Sequence, residues 1–123
     1  MDLDELISAL ESLQEPSRRI DEQIGRLAGW ERRSERANDN NKVESVYFVH
    51  NGKRYPRMPY FTTSIDAALL CVEALVGKVD SGGVTLNPNG VSWAEVGGGP
   101  RCRGPNPAMA LCIAALRRKQ QVQ

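Results

Sequence analysis

The chain has few of the side chains on which most enzyme and metal sites depend. It contains one histidine, His50, and three cysteines in 123 residues, and none of these has the spacing of a zinc site. A Walker loop, a Rossmann fingerprint and a zinc-protease motif are also missing from the sequence. We therefore expect a protein that is not an enzyme and that uses no cofactor and no metal.

Long apolar runs are absent, and the charge is nearly balanced. No stretch approaches the ~20 apolar residues of a membrane helix, and the acidic start Met1–Asp4 is unlike a secretory signal. These features predict a cytoplasmic protein with no membrane partner. The net charge of +1 is too small for strong binding to nucleic acid, which requires several phosphates to be neutralised together.

The small net charge hides an asymmetry between two parts of the chain. Residues 1–42 carry seven basic and ten acidic side chains, whereas residues 43–123 carry nine basic and five acidic ones. A local anion site therefore belongs to the second part. The first part begins with two short apolar stripes at helical spacing, which predict a helical hairpin over 1–29. That hairpin could be a dimerisation arm or a lid on its own sheet. Trp30, which follows it, is a candidate for an exposed interface.

Residues 30–42 have no period and almost no apolar side chain, so we expect a polar loop there. Residues 43–49 then alternate as a strand does, and Asn51-Gly52 is a strong hairpin signal, so a second strand should return over 53–55. A second hairpin is expected over residues 84–96, with a type I turn at 87–90.

Each predicted hairpin is followed by a predicted helix. Thr63 should cap a helix over 64–76 whose apolar stripe is Ile65, Ala68, Leu69, Val72 and Leu75. Asn106 as cap and Pro107 as first residue predict a helix over 107–119. The order hairpin–helix thus occurs twice, as an internal ββα repeat over 43–119. We expect the following residues to be buried: Leu69, Val72, Leu111, Cys112 and Leu116.

These elements predict one α+β domain over residues 1–123. The two hairpins should join into one four-stranded antiparallel sheet with both later helices on one face. The N-terminal hairpin would cover the other face, which gives an α-β-α sandwich.

The best functional signal is the segment GGGPRCRGPNP at residues 97–107. Arg101 and Arg103 stand at alternate positions and point the same way if the segment is extended. Asn106 begins a helix whose free N–H groups attract anions. Arginine matches phosphate oxygens with two parallel hydrogen bonds. The segment predicts a site for a phosphate-bearing small molecule, with an exposed loop of two solvated arginines as the alternative.

A second basic and aromatic cluster lies at residues 53–61. Arg54 and Arg57 could meet a phosphate while Tyr60 stacks on a base. The predicted ligand-binding residues are thus Arg101, Arg103, Asn106, Arg54, Arg57 and Tyr60.

Two sequence blocks carry a family resemblance. PYFTTSIDAALLCVEAL at residues 59–75 and PNPAMALCIAALR at residues 105–117 resemble the phage ABA sandwich domain, a family of small phage and prophage proteins. The resemblance implies a layered α-β-α fold and a place in the host cytoplasm, and it does not imply an activity. We expect a non-catalytic, oligomeric protein that sequesters a phosphorylated small molecule, such as a cyclic or signalling nucleotide of host defence. The alternative is a phage adaptor that acts through protein–protein contacts of its helical hairpin.

Overall fold

Four helices and six strands form from residues 1–38, 41–87 and 90–122, which are the residues that the computed structural model describes. In chain order the elements are α1 (Leu3–Ser12), α2 (Arg18–Leu27), β1 (Glu31–Asn38), β2 (Asn41–His50), β3 (Lys53–Tyr55), α3 (Ile65–Val76), β4 (Gly82–Thr85), β5 (Ser92–Val96), β6 (Cys102–Gly104) and α4 (Pro107–Gln121). The predicted helical hairpin and both later helices are therefore confirmed.

The strands form two separate antiparallel sheets of three strands, in the orders β1-β2-β3 and β4-β5-β6. The class α+β is confirmed, but the single four-stranded sheet of an α-β-α sandwich is wrong. The two predicted hairpins do not join, because each is completed by a strand of its own. The two later helices do not lie on one common sheet, because the strands form two sheets, α4 contacts all three strands of the second one, and α3 packs against α4.

The strand β1 occupies most of the predicted loop 30–42, so that prediction is wrong. Glu31 pairs with Val49 and Glu35 with Ser45 in a regular antiparallel register. The side chains of residues 31–35 are all exposed, so this edge strand shows no apolar alternation by which it could be recognised. Asp39 and Asn40 lie outside the described residues, as do Pro88 and Asn89 of the predicted turn.

The helix α4 is the centre of the fold. Its nine residues from Ala108 to Leu116 are all buried, and it contacts α1, α3 and all three strands of the second sheet. Small side chains make this possible, because four alanines in that run let neighbouring backbones approach closely. The backbone of Gly104 in β6 lies so near that an added Cβ would sit 2.7 Å from the nitrogen of Ala110.

The helix α3 presents a different face to the core from the one predicted. Ala68, Val72 and Leu75 are buried as expected, but Leu69 is 50% exposed and Ile65 36% exposed. The buried side is completed by the small residues Ala67 and Cys71. The predicted stripe included the large side chains of Ile65 and Leu69, whereas these two small residues take the buried positions. The cap is Ser64, whose side chain accepts from the amide of Ala67, and not Thr63.

A buried polar network joins α2 to the segment before α3. The carboxylate of Asp21 is fully buried and accepts hydrogen bonds at 2.8 Å from both the amide and the hydroxyl of Thr62. Arg18 donates to the same carboxylate at 2.7 Å and to the carbonyls of Met58 and Pro59 at 2.7 and 3.2 Å. This network fixes the position of the loop together with the apolar packing of Met58 and Phe61, which are buried in the core.

The hairpin of α1 and α2 buries its apolar stripe within its own chain. Leu6, Ile7, Leu10, Ile20 and Ile24 are all in the core, so they are not available to a partner. Trp30, expected at an exposed interface, is only 6% exposed.

Candidate functional site

The strand β6 places Arg101 and Arg103 as the sequence predicted. The segment is extended, and Arg103 lies directly opposite Trp93 of β5. Paired residues share a sheet face, and Arg101 lies two positions before Arg103, so all three side chains are on the face that α4 does not cover. Ala94 and Gly104, on the other face, are buried. Both arginines are exposed, as expected.

These side chains line a cavity of about 520 Å³ at the open edge of the second sheet, which we call the arginine cavity. Its lining residues are Glu11, Trp93, Pro100, Arg101, Cys102, Arg103 and Arg117. The guanidinium carbon of Arg101 is 4.8 Å from the centre of the Trp93 ring. Among the described residues, no carboxylate lies within ion-pair distance of Arg101 or Arg103. Two uncompensated cations and an indole ring therefore share one cavity.

The third arginine of the cavity, Arg117, comes from α4 and is already paired. Its guanidinium donates to both carboxylate oxygens of Glu11 in α1, at 2.7 and 2.9 Å. The hydrogen bond to Glu11, with the charge of that carboxylate, raises the pKa of Arg117. Glu11 thus occupies the position at which an external anion would meet Arg117.

Cys102 is also among the residues that line this cavity. Burial raises the pKa of Cys102, although the nearby charge of Arg117 acts in the opposite direction. A thiol with a raised pKa is protonated at neutral pH and is a poor nucleophile. The cavity is thus better suited to binding than to covalent chemistry.

Asn106, predicted to belong to the anion site, has its side chain engaged within the fold. Its oxygen accepts from the amide of Met109 at 2.8 Å, and its nitrogen donates to the carbonyl of Thr62 at 3.0 Å. The first turn of α4 is buried at Ala108 and Met109. Asn106 is not among the residues that line the arginine cavity.

The structure does not bring the second cluster, Arg54, Arg57 and Tyr60, into the arginine cavity. Arg54 lies over the ring of Tyr47 at 3.8 Å and pairs with Glu35 at 2.9 Å. Arg57 is exposed. Tyr60 is 41% exposed and carries the guanidinium of Arg18 at 3.7 Å from its ring centre.

Sequence reasoning missed Trp93 and Arg117 as members of the site. Trp93 could have been assigned to the face of Arg101 and Arg103, because it alternates along β5 with Ser92, Ala94 and Val96, which are buried. Arg117 was not, because only the packing of α4 brings it to the strand edge.

An apolar cavity of about 400 Å³ lies beside α3, and the half-exposed Leu69 lines it together with Ile65 and Val79. Among the described residues, no arginine lines this cavity, in contrast to the arginine cavity. The adaptor alternative and the oligomer stay predictions.

Comparisons with protein families, with curated proteins and with solved structures find no match to this chain. The resemblance to the phage ABA sandwich domain therefore stays an expectation. No helix within residues 1–38, 41–87 and 90–122 has the length and apolar character needed to cross a membrane. In the same residues, no three His, Cys, Asp or Glu side chains are grouped closely enough to hold a metal ion.

Proposed function

We propose that this protein binds a phosphate-bearing small molecule with a planar ring, such as a nucleotide, in the arginine cavity and leaves it chemically unchanged. The observation that carries the proposal is the meeting of Trp93 with Arg101 and Arg103, two exposed arginines that have no carboxylate partner among the described residues, in a volume of about 520 Å³. That volume lies within the range of small-molecule sites.

Each side chain has a distinct part in the binding that we propose. The planar guanidinium groups of Arg101 and Arg103 would each offer two parallel donors to phosphate oxygens. The ring of Trp93 would stack on a base, an interaction that every base can make. Arg101 now covers that ring, so a base would take its place while Arg101 turns toward the phosphate.

Arg117 and Glu11 would adjust the affinity. A bound phosphate would compete with the carboxylate of Glu11 for Arg117, because one guanidinium edge cannot serve both anions at full strength. Release of Glu11 would add a third cation to the site and loosen the contact between α1 and α4.

Two features favour binding of an unchanged ligand over catalysis. Cys102, the nucleophilic residue of the cavity, is held as a protonated thiol by burial. His50, which could act as a general base, lines another cavity. The resemblance to phage proteins favours a host signalling nucleotide as the sequestered ligand.

Calorimetry with mono-, di- and cyclic nucleotides tests this function. We expect micromolar binding that the double variant Arg101→Ala/Arg103→Ala abolishes, because each charge-assisted contact is worth about 1.5–3 kcal/mol, or roughly 10- to 100-fold in affinity. The matched control is Arg54→Ala/Arg57→Ala, which removes the same charge from two exposed arginines outside the cavity. It should bind as the unchanged protein does.

Two further results would count against the proposal. Full affinity in the Arg101 and Arg103 double variant would reject the site. Chromatography that finds the ligand altered after incubation would reject sequestration without chemistry. A Trp93→Leu variant separates the parts of the ligand, because it should weaken nucleotide binding while weak binding of inorganic phosphate persists.

A further inference from the structure

Within residues 1–38, 41–87 and 90–122, three aromatic rings have an arginine over one face. Arg18 lies over Tyr60, Arg54 over Tyr47 and Arg101 over Trp93, at 3.7, 3.8 and 4.8 Å from the ring centres. In the part of the chain that the structure describes, the remaining tyrosine and tryptophan, Tyr55 and Trp30, have no such cation. They are also the pair that contact each other.

Trp30 and Tyr55 belong to a cluster of three rings. Trp30 follows α2 and stacks on the imidazole of His50, with ring centres 4.5 Å apart and planes inclined by 4°. Tyr55 of β3 meets the indole at 4.8 Å and 53°. His50 and Tyr55 are half-buried and Trp30 is buried, so contacts within the cluster hold the three rings in place.

The cluster lines a cavity of about 530 Å³ between the first sheet and α3, which we call the Trp30 cavity. The other lining residues are Ala28, Asn51, Leu70, Glu73 and Ala74. Apart from the imidazole, the ionisable groups of this lining are the Tyr55 phenol and the carboxylate of Glu73, which is exposed. Within the described residues, no cation pairs with Glu73.

We propose that the Trp30 cavity binds an organic ammonium group. Aromatic rings attract cations through the negative charge of their faces, and quaternary ammonium groups are bound in this way. Glu73 adds a full negative charge at the rim, so rings and carboxylate favour the same class of ligand. This site is separate from the arginine cavity, and it favours a cation where the arginine cavity favours an anion. The ammonium group can come from a free quaternary amine or from a methylated lysine side chain of a protein.

Nuclear magnetic resonance of the full chain with choline as the probe tests the proposal. The chain has two tryptophans, so the indole N–H signal of Trp30 reports the cavity while that of Trp93 serves as an internal reference. We expect choline to shift the Trp30 signal with saturation at millimolar concentration and to leave the Trp93 signal in place. The neutral isostere 3,3-dimethylbutan-1-ol should bind about tenfold more weakly, because it lacks the cation–π attraction.

Two matched variants test whether the carboxylate of Glu73 contributes to choline binding. Glu73→Gln should weaken choline binding about threefold, since one exposed carboxylate is lost. Glu95→Gln, an exposed glutamate beside the apolar cavity at α3, should leave it unchanged. Both positions are on the surface, so both variants should fold normally.

A comparison of choline with a peptide that contains trimethyl-lysine identifies the source of the ammonium group. A peptide with trimethyl-lysine that binds at least tenfold more tightly than choline would indicate a protein partner, and equal affinity would indicate a free amine. Equal binding of choline and its neutral isostere, or an unmoved Trp30 signal at saturating choline, would overturn the proposal.

Discussion

The two halves of the region from residue 31 to residue 121 have the same order of elements, three antiparallel strands and a helix, but they are held in different ways. The second half is packed around α4, which is buried from Ala108 to Leu116. The first half ends in α3, where Leu69 is 50% exposed although Leu111, at the same place counted from the start of the helix, is 4% exposed. The segment before α3 is held by the buried carboxylate of Asp21. One order of elements is thus stabilised by apolar packing around a central helix in one half, and by apolar packing together with a buried polar anchor in the other.

The strongest test of the comparison is removal of the polar anchor. Asp21→Ala should lower the free energy of unfolding by about 2–5 kcal/mol, because the buried amide and hydroxyl of Thr62 both lose their acceptor. The loss of the ion pair adds little, since the side chain of Arg18 is 45% exposed. Chemical denaturation measures the loss. Glu22→Ala, at the next position of α2, should change stability by no more than about 0.5 kcal/mol. Similar losses in both variants would show that Asp21 does not anchor the loop.

A pair of leucines sharpens the comparison of the two helices. Leu116→Ala should cost about 2–5 kcal/mol, because a fully buried side chain leaves a cavity. Leu70→Ala in α3 should cost less than about 1 kcal/mol, because half of that side chain is already in water. Thermal and denaturant unfolding report both values. An equal cost would mean that α3 is covered in solution, for instance by a second copy of the chain.

The smallest expected effect concerns the strands of the second sheet. Gly104→Ala should cost about 1–3 kcal/mol, because the new methyl group meets the backbone of α4 at Ala110 and overpacks the contact. An alanine at Gly83 in β4 would meet no atom of the described residues within 4 Å, and Gly83→Ala should be neutral or stabilise by up to about 1 kcal/mol. If Gly104→Ala proved as harmless, β6 would not lie against α4 as closely as described.

Local signals were sufficient for part of this fold. Asn106 as cap and Pro107 as first residue predicted the start of α4. Asn51-Gly52 predicted the turn between β2 and β3, where these two residues have positive φ values of 52° and 79°. Those features depend on a few neighbouring residues. β1 could not be predicted in the same way, because an edge strand with exposed side chains on both faces has no apolar alternation.

The buried side of α3 and the composition of the arginine cavity depend on tertiary contacts. Leu69 is the stronger apolar residue, yet it is half-exposed while Cys71 is fully buried, because the position of α4 decides which side of α3 is covered. Arg101 and Arg103 could be paired from their spacing within β6. Arg117 joins them only through the docking of α4, at a separation along the chain that no local pattern spans.

The complete burial of α4 has a consequence for synthesis on the ribosome. The helix α1, the helix α3 and the second sheet all need α4 as their packing partner, and α4 is made after every one of them. At about 5–20 residues per second, the side chains of α1 wait roughly 5–20 seconds before residues 107–116 emerge. During that interval Leu6 and Leu10 lack their packing partner in α4. We therefore expect the core around the central helix to close only after that helix has emerged.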